Sequence, residues 1–222
     1  MRLISTMLMS VSLVALNSAY AQSVQAPVPA AGNSWSYKTS DMWSAKLISE
    51  STLKTVGVSG EYVRIFYETK SASKNGEFVM PQTSESTTRA DLNSVIMYKG
   101  ERQENPWYKW PLEAGKKWSF QIKQELPPTG SATIPQVMTQ NIDAEVKGWE
   151  TLELPAGKLK AIKIVYKSTW TAVNPASNGT SVSTTWYSPD VKRFVQYTSE
   201  NFGPDGSPQA RTLQQLVHYE VK

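Results

Sequence analysis

Apolar and polar residues alternate along most of this chain with a period of two, the repeat of a half-buried β-strand. No window lengthens to the period of a capped amphipathic helix. The clearest alternation lies in Gly148–Trp170, GWETLELPAGKLKAIKIVYKSTW. Ile162, Ile164, Tyr166 and Trp170 fall on one face, Lys163, Lys167 and Thr169 on the other, and Val165 alone breaks the pattern. Pro155-Ala156-Gly157 interrupts the run. Proline holds φ and glycine accepts φ > 0, so the triplet predicts a turn between two strands.

The same pattern predicts the other elements. Trp35–Lys38 opens the folded part, and Ala45–Val56 alternates weakly. Glu61–Lys70 puts Val63, Ile65 and Tyr67 on one face and Tyr62, Arg64, Phe66 and Glu68 on the other. Asn75-Gly76 closes a hairpin loop after it. Gln82–Arg89, rich in Ser and Thr, reads as an edge strand or a loop, and Val95–Tyr98 as a short strand. Glu101–Pro111 is aromatic and irregular, because Pro106 and Pro111 remove ladder donors. Strands follow on Trp118-Phe120-Ile122, on Met138-Ile142-Ala144-Val146, and on Val182–Trp186 and Arg193–Tyr197, the last two joined at Ser188-Pro189-Asp190. The final strand places Leu213, Val217, Tyr219 and Val221 inward, with Gln215 and Leu216 against the pattern. These elements predict a single all-β domain over residues 34–222. It has about ten antiparallel strands in a curved sheet or open barrel, with a β-sandwich as the alternative.

Residues 1–21, MRLISTMLMSVSLVALNSAYA, carry a basic Arg2, a short apolar run and the small-residue close Ala19-Tyr20-Ala21. That is the pattern of a secretory signal peptide cleaved after Ala21, and it predicts a periplasmic or secreted protein. Residues 22–33, QSVQAPVPAAGN, read as a flexible leader. The chain has no cysteine. This excludes disulfides, thiolate metal ligands and thiol nucleophiles, and with them the acylated cysteine of a bacterial lipoprotein, so no lipid anchor is expected. The 23 Lys+Arg and 19 Asp+Glu leave a mild positive excess scattered along the strands, not the stripe of a nucleic-acid binder. No later stretch is apolar enough for a transmembrane helix in the mature chain.

Gly148-Trp149-Glu150-Thr151, then Leu154-Pro155-Ala156-Gly157 through Ile164, then Trp186-Tyr187-Ser188-Pro189-Asp190, form a spaced motif. Over Gly148–Tyr197 the chain resembles domain-of-unknown-function family 3108, a group of secreted bacterial proteins, and related periplasmic half-barrel proteins. The resemblance implies an open half-barrel, similar to those that carry lipoproteins across the periplasm. It implies no reaction.

Candidate chemistry is sparse. His218 is the single histidine and sits on a polar strand face, so no metal site and no cofactor is expected. Asp143 and Glu145 share a strand face, and Glu150 and Glu153 follow, where solvated side chains are the ordinary reading. Trp118, Trp170 and Trp186 lie on alternating strands and read as core. Trp107, Tyr108 and Trp110 sit between prolines with no strand face to bury them. A curved sheet leaves a concave face suited to a ligand. The expected ligand-binding residues are therefore Trp107, Tyr108 and Trp110, with Trp118 as wall. The expected function is an exported, non-enzymatic binding protein offering a concave apolar face to a lipid, another apolar ligand or an envelope protein. The rival expectations are an enzyme on polysaccharide using Glu150 or Asp143 as acid, and a structural or interaction module of the envelope.

Overall fold

The structure is a computed structural model, described over residues 23–73, 75–128, 134–173 and 176–222. The expected signal peptide lies outside the described residues. The described residues form twelve strands: β1 (Ser34–Asp41), β2 (Leu47–Ser59), β3 (Tyr62–Ser71), β4 (Gln82–Arg89), β5 (Ser94–Tyr98), β6 (Glu101–Asn105), β7 (Lys117–Leu126), β8 (Gln136–Leu154), β9 (Gly157–Val173), β10 (Ser177–Ser188), β11 (Arg193–Phe202) and β12 (Pro208–Glu220). Ten of them form one antiparallel sheet, ordered β4-β3-β2-β1-β12-β11-β10-β9-β8-β7, and β5 pairs with β6 alone. The described residues contain no helix.

The path of the chain explains how this sheet is used. It starts mid-sheet at β1 and steps outward by hairpins to β4 at one edge. It then crosses to β7 at the other edge and steps back until β12 pairs with β1. The sheet curls but does not close, since β4 and β7 do not pair. The β5–β6 hairpin spans that gap: β5 touches both β4 and β7, and β6 touches β7. Arg89 of β4 reaches Glu104 of β6 at 3.6 Å, and the Lys123 backbone N–H of β7 donates to the Gln103 side chain of β6 at 3.1 Å. Two otherwise open edges are thereby covered.

The break in the last strand's alternation has a local cause. Ser36 pairs with His218 and Tyr37 with Leu216, so Val217 is an extra residue in a β-bulge. A bulge resets the alternation. Leu216 is therefore fully buried and Val217 does not continue the inward row, contrary to the alternation expected for the last strand, while Tyr219 and Val221 pack on the core as expected. A second bulge falls between Val146 and Gly148, where Gly148 takes φ +125°. The predicted turn sits at Pro155-Ala156, with Leu154 paired to Gly157.

Val24 and Asn33, within the expected leader, are docked against the domain. Val24 and Leu112 exchange backbone hydrogen bonds at 2.9 and 2.8 Å, and Val24 is buried. Asn33 is buried as well and accepts from the Lys222 N–H. Val24 supplies an apolar side chain to the cluster that also holds Tyr108 and Leu112, which composition alone does not reveal.

Candidate functional site

The inner face of the sheet is the one that carries Trp118, Ile142, Ala144, Val146, Ile162, Ile164, Tyr166 and Tyr187, all buried. Residues 106–112, between β6 and β7, lie against this face with Trp107, Tyr108, Trp110 and Leu112 packed on it. Glu101–Pro111, read from sequence as irregular, thus divides into strand β6 and this connector.

Indole and phenol groups pin the connector to the sheet. The Trp118 indole N–H donates to the Pro106 carbonyl at 2.7 Å, and the Tyr166 hydroxyl donates to the Trp107 carbonyl at 2.6 Å. The Trp107 indole donates to Ser94 Oγ at 3.1 Å and the Trp110 indole to the Asp91 carbonyl at 2.8 Å. Asn93 acts as a substitute strand: its Oδ1 accepts from the Tyr108 N–H at 2.7 Å and its Nδ2 donates to the Tyr108 carbonyl at 3.0 Å. The rings pack edge to face, Trp107 on Phe120 and Tyr166, and Tyr108 stacked on Trp110 at 5.3 Å.

Beside the connector the inner face opens into a cavity of about 300 Å³. Its walls are Leu92, Trp107, Tyr108, Tyr166, Phe194 and Tyr197, with Asn93, Ser94, Thr88, Ser183, Thr185 and Arg193 among them. Ser183, Trp107, Tyr166 and Tyr197 also border a second hollow of about 220 Å³, floored by Gln140, Ser168, Ser181, Ser199 and Asn201. A third, of about 320 Å³, continues past Gln140, Ser181 and Asn201 to Met138, Trp170 and Ala172. Shared walls make the three one groove along β8–β11. Its floor is hydroxyl-rich, with Gln140 donating to Ser168 at 2.9 Å and Ser168 bonded to Ser181 at 2.6 Å.

Two of the expected binding residues, Trp107 and Tyr108, line the cavity. Trp110 backs Tyr108, and Trp118 lies buried against Tyr166, outside the walls of this cavity. Of the tryptophans read as core, Trp118 and Trp186 are buried and Trp170 is half-buried at the far end of the groove. Sequence reasoning missed Tyr166, Phe194, Tyr197 and Arg193 as walls, and Ser181, Ser183 and Thr185 as floor. A signal existed for the last three: they occupy alternate positions of one strand.

The carboxylates weighed as catalytic are on the other face. Glu150 accepts from the Trp186 indole at 2.6 Å and from Lys163 at 3.0 Å. Burial works against its charge, but those two hydrogen bonds and the Lys163 charge together hold its carboxyl below the usual range. Asp143 accepts from Ser119 at 2.6 Å. Neither lines the groove. Among the described residues, no three His, Asp or Glu side chains converge as a metal site. Burial pushes the Tyr108, Tyr166 and Tyr187 phenols well up, so each is a neutral hydrogen-bonding group at ordinary pH.

No protein-family model and no curated protein matches the chain, and the resemblance to family 3108 has no matching model behind it. Solved structures do match. A candidate lipoprotein from Parabacteroides distasonis aligns at TM-score 0.53 and 15% identity, over 90% of this chain and 100% of that one. A candidate exported protein with YmcC-like fold from Bacteroides fragilis aligns at TM-score 0.44 and 11% identity, over 89% and 99%. The hypothetical lipoprotein YmcC from Escherichia coli aligns at TM-score 0.38 and 12% identity, over 84% of each chain. The chain has the fold of the Parabacteroides protein.

Proposed function

We propose that this protein is an exported, non-enzymatic binding protein that holds an apolar ligand, or the apolar part of an envelope component, in the inner-face groove. The observation that carries this reading is the aromatic cavity between Trp107, Tyr166 and Phe194, continuous with the hydroxyl-floored hollow beyond it. Its size falls at the lower end of the range for small-molecule sites, about 300–1,000 Å³. Mostly apolar walls with a few polar groups are what such sites share. Export is supported by the N-terminal pattern and by a neighbour of the same fold described as a lipoprotein.

The test uses the neutral apolar dye N-phenyl-1-naphthylamine. Wild-type protein is expected to bind it with a rise in fluorescence. Ser183 borders both hollows, so Ser183→Trp should block the groove and abolish the rise while the circular dichroism stays β-rich. Dye that is ignored by the wild type, or bound equally by the blocked variant, overturns the reading.

A further inference from the structure

The described chain has five arginines outside the expected signal peptide, and four of them face carboxylates. Arg64 meets Glu85, Arg89 meets Asp91, Arg102 meets Glu104 and Arg211 meets Glu200. Arg193 is different. It lines the aromatic cavity and makes no ion pair to any carboxylate among the described residues. No Asp or Glu lines that cavity either. Its Nε is buried and has no hydrogen-bond acceptor.

What holds the guanidinium is aromatic. Its carbon lies 5.1 Å from the Trp35 ring centroid and 5.9 Å from that of Phe194. Ring faces attract a cation and orient its plane, but they accept few of its five N–H donors. One side-chain hydrogen bond, to the Tyr37 phenol, takes part of the guanidinium, and its charge, the unpartnered Nε and the remaining donors are left for a further partner. Its charge is felt on two sides, by the buried phenols of Tyr37 and Tyr108.

We infer that Arg193 receives the anionic head of an amphiphilic ligand whose apolar part lies along Trp107, Tyr108 and Tyr166. The inference rests on the groove being a ligand site. A guanidinium matches a planar or tetrahedral oxyanion with paired donors, so the head is a carboxylate or a phosphate. The cavity volume suits a single chain or a small ring system in preference to a bulky two-chain lipid.

The experiment is competition against bound N-phenyl-1-naphthylamine by dodecanoate, dodecyl phosphate and dodecanol, which share one chain and differ in the head. At least one anion is expected to displace the dye roughly tenfold or more better than the alcohol, the effect of one charge-assisted pairing. The better anion tells carboxylate from phosphate. In Arg193→Gln that ratio should fall to about one, and Arg193→Lys should restore part of it, because lysine keeps the charge without the fork. The ratio of competitors is the readout, so a general loss of affinity does not imitate the result. Should Arg193→Gln fail to fold, the wild-type ratio still decides. An alcohol that competes as well as both anions overturns the inference and leaves the apolar groove standing. A ratio that survives Arg193→Gln overturns it too. Dye that never binds condemns the groove itself.

Discussion

One end of the inner face lies beneath the connector and the other does not, and the same strands run through both. Along β9, Ile162 and Ile164 sit beneath residues 106–112, Tyr166 stands at the margin and Ser168 follows in the groove. Along β10 the same row reads Tyr187, Thr185, Ser183, Ser181. Beneath the connector the row is aliphatic or aromatic; along the groove hydroxyls take over, with Ser168 and Ser181 bonded to each other and Ser168 accepting from Gln140. The composition of a sheet face is therefore set by what covers it. Coverage, and not the sheet, separates packed core from open groove in this molecule.

The covered end should be the one that fails at high pH. Its phenols, Tyr108, Tyr166 and Tyr187, are raised by burial. Each binds its proton more tightly when folded. The stability contributed is full below the ordinary tyrosine value of 10 and is lost as pH rises through the raised folded values. Urea midpoints should hold steady to about pH 9 and then collapse, together with a cooperative rise in phenolate absorbance. A gradual, non-cooperative titration beginning below the transition would show these phenols to be open to water.

A pair of substitutions sharpens the contrast at neutral pH. Ile164 is fully buried beneath the connector, so Ile164→Ala should cost about 2–5 kcal/mol in urea unfolding. Ser183→Ala, in the same sheet but at the open end, should stay within about 0.5 kcal/mol. Equal costs would erase the distinction between the two ends. Smaller than the Ile164 effect is the loss of the Asn93 clamp. Asn93→Ala leaves the Tyr108 N–H and carbonyl without partners, at about 1–3 kcal/mol. Hydrogen exchange should then quicken at Tyr108 more than at Ile142 on the sheet beneath. Uniform quickening would mean that the clamp stabilises the whole domain and not the connector.

Much of the fold is legible one strand at a time. Gly148–Trp170 announces two strands and their turn because burial of one face imposes period two. Polar Gln82–Arg89 reads as an edge strand or a loop, and β4 is an edge strand. The alternation fails at Leu216 because an extra residue in a bulge is invisible without the partner strand. Glu101–Pro111 reads as irregular because of its prolines, and the partners that fix residues 106–111, Asn93, Ser94 and Tyr166, leave no mark within the segment itself.

The amino-acid order by itself determined an all-β chain, its strand faces and the absence of thiol chemistry, because those follow from side-chain type and near-neighbour spacing. Only the tertiary structure decided that residues 106–112 cover one end of one face, that Val24 joins them, and that Arg193 stands among aromatic rings without a carboxylate. Those facts depend on which remote segments meet, and long-range pairing leaves no periodic mark on the segments that take part.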